Sequence, residues 1–164
     1  MELNTNKKTN YRWIVCGFLW VAVAVNYVDR TALSAATPII MKEFNIDGTE
    51  MGIIMAAFFW AYALLQVPMG YIADKFGQRI VYSIAVAWWS IAQMCIAVCS
   101  SLFGFVTARL FLGVGEAGSY PCNVGVVSKW FPKHERSRAT AILDSASKFG
   151  NAFAMPVVVG LITM

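Results

Sequence analysis

Two pairs of opposite charges lie inside stretches that are otherwise fit for lipid. In VAVAVNYVDRTALSAATPII, residues 21–40, Asp29 and Arg30 stand side by side. In ARLFLGVGEAG, Arg109 and Glu116 are seven residues apart, nearly two helical turns, so they share a face about 10 Å apart along the axis. A charge at the centre of a membrane helix costs roughly 2.5–3.5 kcal/mol, against gains of about 0.3–0.6 for each large apolar residue. Such groups are expected to face a bundle interior or a watery cavity and to pair with one another, as register-fixing ion pairs or as parts of an ion or substrate pathway.

The spacing along the chain also relates the four charges in depth. With 1.5 Å of rise per residue, Asp29 lies about 25 Å along a helix that starts near Arg12. Entering from the other side near Leu102, Arg109 lies about 10 Å in and Glu116 about 20 Å in. All four overlap around the midplane and the outer half, where two acids and two bases can meet. Gly113 lies on the face of Arg109 and Glu116, with Gly115 and Gly118 close by. Small residues there admit a neighbouring helix or a ligand. Asp144 and Lys148, one turn apart, read either as a helix ion pair or as the lining of the same cavity's mouth. Tyr62 and Gln66, also one turn apart and near Trp60, can make a polar stripe, with core packing as the alternative for the aromatics.

The elements that must position these residues follow from composition. The chain has 164 residues, 59% hydrophobic and 13% charged, with mean hydropathy +0.60. Soluble domains carry about 25% charged residues, so the class is an all-α integral membrane protein. A bilayer core needs about 20 apolar residues per helix. Five stretches meet that: residues 12–41, 51–73, 80–99, 102–127 and 139–164, after a tail over residues 1–11. Lys7, Lys8, Arg12, Lys75, Arg79, Lys129, Lys133, Arg136 and Arg138 fall on one side of these spans, and only Lys42 on the other. The positive-inside rule therefore makes the N-terminus cytoplasmic. The basic residues form no face interleaved with stacking aromatics, which argues against nucleic acid.

Cys16, Cys95, Cys99 and Cys122 all sit in apolar stretches and read as small buried hydrophobes, not as a metal site or disulfide framework. His134 is the only histidine, in a basic joint without a nucleophile or acid suitably placed. An enzyme is therefore not expected, nor is any cofactor or metal.

The joint after the second span, GYIADKFGQR, carries Gly70, Asp74, Lys75, Gly77 and Arg79 at the spacing Gly-x-x-x-Asp-(Lys/Arg)-x-Gly-x-(Lys/Arg). Gly77 supports a tight turn, and Asp74 at a helix end suits a charge latch to a neighbouring helix. This resembles the loop signature of the major facilitator superfamily. The fourth span from Arg109 through Gly113, Glu116, Gly118, Tyr120 and Pro121 to Trp130, together with NYVDR and FPKHERSRA, resembles its anion:cation symporter family.

The resemblance implies secondary transport, with H⁺-coupled symport of a carboxylated organic anion such as a sugar acid across the plasma membrane, the inner membrane in bacteria. It gives proton coupling to Asp29 and Glu116, with H⁺ the coupling ion and Na⁺ the alternative. Arg30 and Arg109 would hold the substrate carboxylate, Tyr27 and Tyr62 its hydroxyls, with Gln66 beside them. Gly70, Asp74, Lys75, Gly77 and Arg79 would form the cytoplasmic gate loop. A three-span pattern with charges in its first member, repeated once, also fits the 3+3 inverted repeat of transporter halves. The family has twelve spans in two halves, so these five are expected to be an N-terminal portion whose partners are the substrate, the bilayer and a C-terminal half. The alternative is a truncated, non-transporting membrane fragment or a partner-dependent subunit.

Overall fold

A computed structural model describes residues 11–162, all in helices and short joints, with no strand among the described residues. The helices are α1 (Tyr11–Phe44), α2 (Gly48–Phe76), α3 (Gln78–Ala97), α4 (Leu102–Glu116), α5 (Ser119–Trp130) and α6 (Lys133–Ile162). The joints are short because their residues stop and restart helices efficiently. Asp47 caps α2 by accepting from the Glu50 N–H at 2.7 Å, while the Glu50 carboxylate accepts from the Asp47 N–H at 3.0 Å. Gly77 takes φ +92°, a conformation that side chains resist, and its N–H closes α2 on the Ala73 carbonyl. Ser101 caps α4 by accepting from the Gly104 N–H.

The stretch expected as one span over residues 102–127 divides into α4 and α5. Pro121 explains the division: it has no N–H to return to the Ala117 carbonyl, and its ring crowds that carbonyl. Ala117 and Gly118 keep helical dihedrals, so the path continues in direction with a loosened turn. α6 begins at Lys133, ahead of the expected start at residue 139.

Three described helices are long and apolar enough to cross a bilayer: α1, α2 and α3. α4 and α5 are each too short alone, and α6 carries Lys133, Glu135, Arg136, Arg138, Asp144 and Lys148 along its first sixteen residues. Large apolar side chains stand exposed on the bundle, among them Phe18, Val67, Val98 and Phe103. In water such a surface would be an aggregation liability, whereas in a bilayer it is the expected lipid-facing skin.

Two close helix contacts organise the interior, α1 against α6 and α2 against α4. Each has a glycine where the two backbones come close. A Cβ on Gly150 would lie 2.6 Å from the Ala24 carbonyl oxygen, and one on Gly113 would lie 2.6 Å from the Phe58 carbonyl oxygen. Gly113 is therefore a packing residue, and the helix it admits is α2. The core between α2, α3 and α4 is built from Phe58, Ala85, Trp89, Ala92 and Leu112. All four cysteines are free thiols; Cys16 and Cys122 are buried, while Cys95 lies on the exposed face.

Candidate functional site

α1 and α4 bring Arg30 and Glu116 together across 86 residues of chain. Arg30 Nε and Nη2 each donate to Glu116 Oε2 at 2.7 Å. The Glu116 side chain is fully buried, and its second oxygen, Oε1, has no hydrogen-bond partner. The Arg30 guanidinium lies among three rings, 5.1 Å from the Tyr27 centroid, 4.8 Å from Phe58 and 4.7 Å from Tyr62. Each contact is of the cation–π kind, which strengthens as water is removed.

Arg109 lies near this pair but makes no hydrogen bond or ion pair with either member. It is 2% exposed, its Nε and Nη1 find no hydrogen-bond partner, and its Cζ lies 4.8 Å from the same Phe58 ring. Sharing a face with Glu116 was legible from spacing, but two turns of axial separation leave the carboxylate to a neighbour from another helix. Asp29 is half-buried and forms no hydrogen bond or ion pair among the described residues. Adjacent helical positions point about 100° apart, so Arg30 can reach Glu116 while Asp29 faces elsewhere.

Arg30 stands at one side of a cavity between α1, α2, α3, α5 and α6, with Tyr27 and Tyr62 also in its lining. Asn26, Tyr82, Ser119, Tyr120, Asn123, Thr140, Asp144 and Ser147 complete the polar wall. Gln66 and Arg109 are outside this lining; Gln66 Nε2 instead donates to the Tyr62 hydroxyl at 3.0 Å and so holds that ring in place. Asp144 and Lys148, read from sequence first as a helix ion pair, make none; Asp144 faces the cavity. Spacing allowed the pair, but nothing holds two exposed side chains together against water.

The loop signature closes a second contact. Asp74 Oδ1 accepts from Gln78 Nε2 at 3.1 Å, and Lys129 Nζ of α5 donates to Gln78 Oε1 at 2.9 Å while lying 3.8 Å from Asp74. The latch to a neighbouring helix thus runs through Gln78. Gly70 faces Pro121, Gly77 makes the turn, Lys75 lies 5.6 Å from the Phe76 ring, and the Arg79 carbonyl accepts from Ser83. At the same end, Arg12 binds Glu135 at 2.9 Å and ties the start of α1 to the start of α6.

Sequence reasoning missed Phe58, Asn26, Ser119, Asn123, Gln78 and Lys129 as site residues. Asn26 and Asn123 were findable, since an amide in an apolar helix is the signal that singled out Gln66. Phe58 was not, because an aromatic among aromatics has no signal until its neighbours are known.

Comparison with known proteins agrees with this architecture. The family model of the Major Facilitator Superfamily matches residues 19–164. The chain is 34% identical over 159 residues to the D-galactonate transporter of Escherichia coli O6:H1, covering 97% of this chain and 37% of that protein. It is 37% identical over 150 residues to the probable galactarate/D-glucarate transporter of Pseudomonas putida, covering 87% and 33%. The chain thus spans about a third of the length of the curated relatives it matches. A crystal structure of a bacterial homologue of the human lysosomal transporter Spinster, inward-facing and occupied, superposes with a TM-score of 0.85 at 24% identity, covering 90% of this chain and 32% of that one. That likeness shows the fold. With the apolar helices and the family match together, this is a multi-pass membrane protein that belongs to the major facilitator superfamily.

Proposed function

We propose that this chain forms the N-terminal bundle of a secondary transporter that carries a sugar acid or similar organic anion together with protons. The observation that carries the reading is the Arg30–Glu116 pair beside a polar cavity. An arginine held by a fully buried carboxylate is neutralised. When Glu116 takes a proton, the carboxylate loses its charge and the guanidinium, now uncompensated, is free to bind a substrate carboxylate through parallel hydrogen bonds. Proton and anion then enter the site together, because each removes the obstacle to the other.

Asp29 offers a second proton acceptor one residue away, and Arg109 a second cation on the Phe58 ring. Tyr27 and Tyr62 line the cavity where substrate hydroxyls would lie, with Gln66 steadying Tyr62. The Asp74–Gln78–Lys129 contact fits a cytoplasmic latch. The excess of Lys and Arg on the side of Arg12 and Lys129 supports a cytoplasmic N-terminus. The names of the relatives support a sugar-acid substrate, bound between this bundle and a C-terminal half.

The test is Glu116→Gln in the full-length transporter reconstituted into vesicles. Gradient-driven uptake of D-galactonate should be lost, while exchange of internal for external D-galactonate persists. Uptake that still responds to an imposed proton gradient would overturn the coupling role. A response to an imposed sodium gradient in the unmodified protein would replace H⁺ with Na⁺.

A further inference from the structure

Part of the cavity wall is polar in a way that the Arg30–Glu116 chemistry leaves unused. Asn26, Ser119 and Asn123 are each more than nine-tenths buried. Asn26 Nδ2, Ser119 Oγ and Asn123 Oδ1 have no hydrogen-bond partner, and all three residues line the cavity beside Arg30. Buried polar groups left unmatched are rare in folded proteins, and several lining one cavity point to something that matches them.

Their chemistry narrows what that is. Asn26 Nδ2 can only donate, Asn123 Oδ1 can only accept, and the Ser119 hydroxyl does both. A carboxylate or phosphate, which only accepts, would face the bare Asn123 oxygen. A metal ion would face the Asn26 donor. A chain of neutral hydroxyl groups, each both donor and acceptor, satisfies the whole set. Charge points the same way, since Arg30 and Asp144 are the only formally charged residues among those described in the lining. A ligand with its carboxylate on Arg30 would bring any second carboxylate toward Asp144, and like charges in a confined site repel.

We infer that Asn26, Ser119 and Asn123 form a polyol-reading subsite, and that with Asp144 they select hydroxylated monocarboxylates over both dicarboxylates and unhydroxylated acids. This rests on the proposed transport reading and sharpens it, because the relatives' names include both a monocarboxylate and dicarboxylates. It also assigns Asp144 a role in excluding ligands.

The experiment is competition against labelled D-galactonate uptake by the full-length transporter in vesicles, with unlabelled D-galactonate, galactarate and hexanoate. D-galactonate should compete at least about tenfold better than the other two, since a site built to hydrogen-bond hydroxyls rejects the analogue that lacks them. Ser119→Ala and Asn123→Ala should each raise the KM for D-galactonate about three- to tenfold and weaken it far more than hexanoate. Asp144→Asn, at an exposed position that does not threaten the fold, should improve competition by galactarate about tenfold. Equal loss of all three competitors in the alanine variants, or preference for galactarate in the unmodified protein, would overturn the subsite. Absence of saturable uptake of any of the three by the unmodified protein overturns the transport reading itself. Uptake with selectivity unchanged by every variant overturns the subsite alone.

Discussion

Arg30 and Arg109 lie at the same distance, 4.8 Å, from one phenyl ring, yet their surroundings differ. Arg30 has a carboxylate on two of its nitrogens. Arg109 is more deeply buried and has none. A buried cation without a partner opposes folding by several kcal/mol, and one aromatic face offsets only about 2 of that. Arg30 can therefore be explained by structure alone, because its pair also joins α1 to α4. Arg109 cannot, and a residue that costs stability where it stands is where function is to be sought.

The comparison breaks most sharply at Arg30. Arg30→Ala leaves the Glu116 carboxylate buried without its cation, and should lower stability by about 3–5 kcal/mol. Thermal unfolding in detergent would measure it, and adding Glu116→Gln should restore most of the loss. If the double variant is no more stable than Arg30→Ala, the pair is not what holds α1 to α4. Arg109→Met should act in the opposite direction, raising stability by about 1–4 kcal/mol, as expected when a buried charge gives way to an apolar group of similar size, and on the proposed transport reading it should also abolish uptake. A fall in unfolding midpoint would show that Arg109 has a structural partner after all.

The seat common to both arginines can be disturbed without touching either. Gly113→Val forces side-chain atoms against the Phe58 backbone and should cost about 1–3 kcal/mol, with uptake falling in parallel. Smallest of all is Lys129→Ala. Lys129 and Asp74 are more than half exposed, so losing that latch should change stability by under about 1 kcal/mol, and less at high salt. A large effect there would mean that the latch is more deeply buried than its exposure indicates.

Much of the fold is legible in the sequence alone. Long apolar runs separated by short polar joints dictate helices across a bilayer, and Gly77 and Asp47 mark the turns that connect them. Glu116 and Arg30 stood out because charges in such runs need a reason. What spacing along one helix cannot supply is the rotation of a second helix against it. Arg109 and Glu116 were correctly put on one face, but Glu116 finds its partner on α1 because α1 approaches there. The same limit hid the cavity, since Asn26, Ser119 and Asn123 come together only when α1 and α5 are packed. Pro121 was visible throughout, but its interruption of the fourth span depends on the Ala117 carbonyl four residues earlier.

The rings around Arg30 bear on timing. If Glu116 lets go of the guanidinium on taking a proton, Tyr27, Phe58 and Tyr62 are still there, and their attraction for a cation does not depend on the state of Glu116. The side chain would not swing free and then search for its next partner. It would stay pointed at the place where an arriving anion must dock, so the exchange of one carboxylate for another needs little reorganisation. Speed in such a carrier would then be governed by the helices that open and close around a stationary arginine.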